Sequence, residues 1–163
     1  MIVPNTLYHG SNVEVQSPSL RYSRKELDFG AGFYTTTDLD QAKRWAARVT
    51  KVRRKGQPTV TQYSVNRATW AGLSILYFEH ADVDWLRLVV GHRIGDTTGD
   101  EYDIIAGPVA DDRTIDVINQ YAAGIYDEEM ALKLLLPMKF KDQWALKSES
   151  SLSALKTEGL MYL

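Results

Sequence analysis

The chain has no cysteine. That excludes a disulfide framework, a thiol nucleophile and any cysteine-ligated zinc or iron–sulfur site. It has no long apolar run either: stretches such as Leu134-Leu135-Leu136 fall far short of the roughly 20 residues that span a bilayer. Met1-Ile2-Val3-Pro4-Asn5 carries no basic region ahead of an apolar core, so no signal peptide and no membrane partner are expected. A net charge of −2 leaves no molecule-wide polycation for nucleic acid to grip. His9, His80 and His92 lie far apart and, without cysteine, make no metal-ligand pattern; no metal is expected. His80 and His92 read as surface groups at helix edges. No serine sits in a nucleophile elbow. A reducing, cytoplasmic setting fits these absences.

What is present is ordinary globular material. Hydrophobic residues at 44% and charged residues at 25% of 163 point to a packed core and to one domain over residues 1–163. The charge is uneven. Between 43 and 55 fall Lys43, Arg44, Arg48, Lys51, Arg53, Arg54 and Lys55, with no acid among them. This run reads as a solvated helix face running into a loop, or as a patch for phosphate, nucleic acid or an acidic partner.

Short strands interrupted by helices organise the chain. Thr6 to Ser11 reads as a strand and Asn12 to Leu27 as a loop. Gly32 to Thr36 is a second strand. Asp38 with Gln41 three residues on is a capping-box pattern, opening a helix to about Val52. Strands are expected over Val60–Val65, Leu73–Phe78 and Tyr102–Val109. Helices are expected over Val83 to about Gly91, Ile115–Ala122 and Glu128–Leu136. Gln143–Lys147 reads as the last clear strand, and Leu152–Leu155 as a final helical turn. The order is not a regular strand–helix alternation, which argues for an α+β fold with an antiparallel or mixed sheet.

Two segments stand out: Leu7-Tyr8-His9-Gly10-Ser11 and Asp28-Phe29-Gly30-Ala31-Gly32-Phe33-Tyr34-Thr35-Thr36. Each puts a polar aromatic side chain beside glycine on a core strand, an arrangement suited to the floor of a cleft. Gly30-Ala31-Gly32 is not a dinucleotide fingerprint, because Thr35 falls where its third glycine belongs and a strand follows instead of a helix. Asp28 to Gly32 reads as a tight turn delivering Phe33 and Tyr34. Asp111-Asp112, after Gly107-Pro108, reads most simply as a helix cap.

Taken together, these segments resemble the ADP-ribosyltransferase superfamily, in its diphtheria-toxin-like branch, whose site is built on a histidine, a tyrosine and a third residue. More narrowly, the chain is similar to a small bacterial family of that superfamily. The matching motifs are Tyr8–Ser11, Asp28–Thr35 with Gln41-Ala42-Lys43-Arg44-Trp45-Ala46, Asp103–Asp112, and Asp142–Trp144. The resemblance covers nearly the whole chain and implies a split, mostly antiparallel or mixed sheet core with flanking helices.

It also implies NAD as co-substrate, a macromolecular acceptor (protein or nucleic acid) and, by analogy, a role as a toxin held by an antitoxin partner or as an anti-phage effector. His9 would bond a ribose hydroxyl, the backbone of Gly10 would pair with the nicotinamide amide, and Tyr34 would stack on the nicotinamide ring. Ser11, Gly32 and Thr35 flank these as further contacts. By spacing and charge, and not by any motif, Arg21, Arg24 or Lys25 would hold the pyrophosphate. The third position falls on Gln143, where polymer-forming members carry glutamate. A glutamine can bond the ribose but cannot act as a base. Asp103, Asp111 or Glu149 would then supply an acid, the acceptor would need no base, or NAD would be bound without turnover or lost to water.

Overall fold

The computed structural model describes residues 1–163 apart from 24, 26 and 111–113. The fold is α+β, with two separate sheets. Strands β1 (Thr6–Ser11), β3 (Thr59–Val65) and β7 (Leu155–Tyr162) form an antiparallel sheet in the order β1-β3-β7. Strands β2 (Phe33–Thr35), β6 (Asp142–Leu146), β5 (Ile104–Pro108) and β4 (Ile75–Tyr77) form a mixed sheet in the order β2-β6-β5-β4. Only β4 and β5 run parallel, and their crossover carries helix α3 (Val83–Arg93).

Three apolar clusters bind these layers. Leu7, Phe33, Tyr63, Ile104, Trp144 and Leu146 pack between the two sheets. Phe29, Phe78, Trp85, Leu86, Ile105 and Ile118 pack the mixed sheet against α3 and the helices α4 (Ile115–Ala122) and α5 (Glu128–Leu135). Ala42 and Ala46 of α1 (Leu39–Arg53) pack on Val60 of β3. The buried tryptophans keep their polar atoms satisfied: Trp85 Nε1 donates to Pro108 O at 3.0 Å and Trp70 Nε1 to Ser151 O at 3.1 Å.

Most element expectations hold to within a residue or two. Asp38, Asp82 and Asp127 each cap their helix by accepting a backbone N–H three residues on. The capping box at Gln41 does not close. Its side chain turns away to donate to Thr36 Oγ1 at 3.1 Å and Asp142 O at 2.7 Å, tying α1 to β6. Helix α2 (Arg67–Trp70) was not expected, and the final helical turn is α6 (Glu149–Ser153).

The larger correction is β7. The last strand is not Gln143–Lys147 but Leu155–Tyr162, and it is the longest in the chain. None of its residues is fully buried, so no apolar signal marks it. Lys156 and Glu158 give it the charged face of an edge strand.

Candidate functional site

Among the described residues, the two sheets meet at one backbone bridge. Tyr8 N–H donates to Thr36 O at 2.8 Å and Thr36 N–H to Tyr8 O at 3.0 Å. Beyond it the strands part, and the next contact is a side chain: His9 Nδ1–H donates to Tyr34 O at 2.7 Å. The wedge so formed opens into a cleft of about 840 Å³. His9, Gly10 and Ser11 of β1 line it together with Gly32, Phe33 and Tyr34. Trp45, Val49 and Arg53, on one face of α1 at four-residue spacing, form one side. Arg93, Val109, Ala110 and Gln143 line another, and side chains of the segment 13–23 border it.

Each floor residue has a distinct state. The bond from Nδ1 to a carbonyl fixes the tautomer of His9, because a carbonyl only accepts; Nε2 is then an acceptor. Burial lowers the His9 pKa; the Tyr34 carbonyl opposes this, and the charge of Arg53 adds to it. The imidazole stacks on Phe33 with ring centroids 4.3 Å apart.

The Tyr34 hydroxyl is fully engaged. It donates to Gly30 O at 2.7 Å and accepts from Phe29 N–H at 3.0 Å. Burial raises its pKa strongly, so the hydroxyl stays protonated, with its proton committed to Gly30 O. The turn it grips matches the expectation for Asp28–Gly32: Gly30 N–H donates to Leu27 O at 2.9 Å, and Gly30 has φ +71°.

Gly10 is a glycine for a reason other than ligand access. A Cβ there would lie 2.0 Å from Ala42 O and 2.8 Å from Ala46 N, so only glycine lets α1 sit on β1. Its backbone still bears on the cleft. Tyr8 directs both backbone groups away from β3, and strand alternation turns those of Gly10 the same way, into the gap beyond the bridge.

Gln143 is buried, and its Nε2 donates to Asp28 Oδ2 at 3.1 Å and Pro108 O at 3.2 Å. Only its Oε1 is left to accept. Asp28 is the hub of this side. Its Oδ1 receives Arg93 Nη2 at 2.6 Å, and its Oδ2 also receives Ala110 N–H at 3.1 Å. Lys147, with a side chain 4% exposed, clamps the same turn by donating to Phe29 O at 2.6 Å, Ala31 O at 2.9 Å and Asp100 Oδ1 at 2.8 Å.

The cleft therefore brings together His9, Gly10, Ser11, Gly32, Tyr34 and Gln143. It does not include Arg21, which is exposed on the single 3-10 turn Leu20–Tyr22, nor the exposed Lys25. Thr35 is fully buried and donates to Trp144 O at 3.2 Å, away from the cleft. Arg24 and Asp111 lie outside the described residues.

The other acids considered for the site stand elsewhere. Asp103 bonds Ser74 N–H at 2.9 Å, and a hydrogen bond from Ser148 is the main cause lowering its pKa. Glu149 opens α6 and is exposed. Asp142 is consumed by Thr36, Thr37 and Trp144. His92 is not a surface group: it is 2% exposed, its Nε2 has no partner, and it sits where a Cβ on Gly30 would fall.

Asp28, Trp45, Val49, Arg53 and Arg93 were missed as site residues. Trp45 and Val49 carry the spacing of a core stripe, and only the path of β1 turns that stripe into a wall. Arg53 continues the same spacing inside the basic run that reads either as a solvated face or as a phosphate patch, and nothing in that run singles it out. Arg93 carries no signal in sequence.

Fold and site together define an α+β protein with a ligand-sized cleft between two split sheets, lined by a neutral histidine, an engaged tyrosine, a buried glutamine and two arginines. The chain belongs to the DUF3990 family, described as "Protein of unknown function", whose model matches residues 5–157 and so takes in every residue lining the cleft. No curated protein matches the chain, and no solved structure does. Among the described residues, no group of three or more His, Asp or Glu is arranged to hold a metal ion, and no helix is long and apolar enough to cross a membrane.

Proposed function

We propose that the protein is an NAD-dependent mono-ADP-ribosyltransferase that modifies a cellular macromolecule, with NAD bound in the cleft between β1 and β2. The observation that supports this is convergence: His9, Tyr34 and Gln143, from the first, second and sixth strands, line the same cleft. Cleavage of the nicotinamide–ribose bond passes through an oxocarbenium-like state with a neutral leaving group, so orientation and electrostatics matter more than proton transfer. The residues suit that demand. His9 Nε2 accepts a ribose hydroxyl, the backbone of Gly10 pairs with the carboxamide, and the ring of Tyr34 stacks on nicotinamide.

A second reading draws on Gln143. Its two amide hydrogens are committed to Asp28 and Pro108, and Asp28 is neutralised by Arg93. No uncommitted buried carboxylate activates an acceptor among the described cleft residues. That favours, as the alternative, a module that binds NAD or ADP-ribose, or a glycohydrolase with water as acceptor. The proposed cytoplasmic setting rests on the cysteine-free composition, and the role as a toxin held by an antitoxin, or as an anti-phage effector, on the resemblance alone.

Incubation with labelled NAD, total bacterial protein and nucleic acid separates these readings. Label retained on macromolecules supports transfer, free ADP-ribose alone supports hydrolysis, and calorimetric binding without consumption supports a module. His9→Ala and Tyr34→Ala should each lose most NAD affinity or turnover while remaining folded. Gln143→Glu should alter the partition between transfer and hydrolysis more than NAD binding. Wild-type behaviour in both alanine variants, or no NAD binding by the wild type, overturns the assignment. Growth arrest on expression, relieved by Tyr34→Ala, is the expected sign of a toxin.

A further inference from the structure

The cleft holds two guanidinium groups in different electrostatic states. Arg93 is neutralised: Asp28 takes its Nη2 at 2.6 Å, and both side chains are largely covered. Arg53 has no carboxylate partner among the described residues. Its one hydrogen bond runs from Nη1 to Asn12 Oδ1 at 2.8 Å.

That bond is a built support. Asn12 is 5% exposed, its Nδ2 donates to Lys55 O at 2.9 Å, and its backbone carbonyl receives Gln57 N–H at 3.0 Å. Gly56 packs against the same carbonyl at a position where a Cβ would fall 2.0 Å from it. The loop that ends α1 is thus folded around Asn12, and Asn12 holds one edge of the guanidinium while the other donors remain unused. Arg53 lies on α1, which packs against β1 at Gly10, and so stands on the histidine side of the cleft; its charge adds to the lowering of the His9 pKa. Glu14, the other carboxylate lining the cleft, is bonded instead to Tyr162 and Gln16 at the rim.

We propose that Arg53 is the anion anchor of this cleft: its guanidinium, fixed on buried Asn12 and unpaired with any described carboxylate, receives a phosphoryl group of the ligand. A planar fork with spare donors matches phosphate geometry, and a charge already held in position loses little freedom on binding. The assignment rests on the reading of the cleft as the seat of a ribose-bearing dinucleotide. It moves the phosphate contact from the segment 21–25 to the end of α1. The phosphoryl group is either the pyrophosphate or a 2′-phosphate beside the hydroxyl that His9 receives.

Calorimetric titration of wild type, Arg53→Ala, Arg53→Lys and Arg44→Ala with NAD, NADP, nicotinamide riboside and inorganic pyrophosphate tests this. Circular dichroism checks that each variant is folded; Arg53 is exposed and Arg44 lies on the same helix outside the cleft. Arg53→Ala should weaken dinucleotide binding by about tenfold or more, leave nicotinamide riboside unchanged, and be partly rescued by Arg53→Lys, with Arg44→Ala neutral. Equal losses for NAD and NADP identify the pyrophosphate. A wild-type preference for NADP that disappears in Arg53→Ala identifies the 2′-phosphate. Undiminished dinucleotide affinity in Arg53→Ala, or an equal loss in Arg44→Ala, overturns the anchor and leaves the dinucleotide reading standing. If neither dinucleotide nor the riboside binds the wild type, the dinucleotide reading fails. Pyrophosphate binding that Arg53→Ala abolishes then upholds the anchor, and its absence overturns it.

Discussion

Tyr34 serves two purposes with two parts of one side chain. The residue lines the cleft and packs against the Phe29 cluster, while its hydroxyl closes the turn that positions it, through Phe29 N–H and Gly30 O. Phenylalanine would keep the ring and leave both backbone groups without a partner. Tyr34→Phe should therefore lose about 1–3 kcal/mol of stability, read from urea unfolding, while retaining more ligand affinity than Tyr34→Ala. Unchanged stability would mean the hydroxyl does not hold the turn. His9 divides its functions in the same way: Nδ1 is structural, spanning the gap to Tyr34 O, and Nε2 is available to a ligand. The residue types at 9 and 34 were legible as unusual in sequence. Which atom of each is engaged was not, because the partners are backbone groups brought up by other strands and turns.

At the scale of elements, the cleft exists because α1 and β1 approach so closely. Gly10 has its Cβ position 2.0 Å from a helix carbonyl, a contact no side chain can replace without moving the helix. Gly10→Ala should push α1 off β1, costing at least about 1–3 kcal/mol and displacing Trp45, Val49 and Arg53 together. Thermal unfolding and Trp fluorescence would read both effects. A variant with wild-type stability would show that α1 shifts without cost. Helix α1 was legible from its spacing and its Asp38 cap, but its docking was not. Gln41, which looks like half of a capping box, instead reaches Thr36 and the carbonyl of Asp142. β7 was missed for the opposite reason: as a partly covered edge strand it buries too little to leave a period in the sequence.

Over the whole molecule, the fold covers two histidines whose pKa values are lowered chiefly by burial, His9 on β1 beside Arg53 and His92 on α3 near Lys147, Asp100 and Asp96. In the unfolded chain both titrate near their ordinary value of 6.5. Below that value the unfolded state binds more protons than the folded one, so stability falls as acid is added. Carboxylates such as Asp38, held down by Lys141, and Asp103 add a second loss below their ordinary value of 3.8. Urea midpoints should be level above pH 7, decline from about pH 6.5, and decline again below about pH 4. A midpoint constant down to pH 5 would show that neither histidine is kept neutral by the fold.

The sequence by itself determined the α+β class, the helix caps at Asp38, Asp82 and Asp127, and the turn and strands that carry His9 and Tyr34. These follow from short-range physics: side-chain period, capping geometry and the φ preference of glycine. Only the tertiary structure decided that β1 and β2 part after Tyr8–Thr36, that Gln143 is spent on Asp28, that Arg93 is neutralised, and that Arg53 is not. Those outcomes depend on which groups of distant segments the fold brings together. The partner of each charge, and not its residue type, sets what it can still bind.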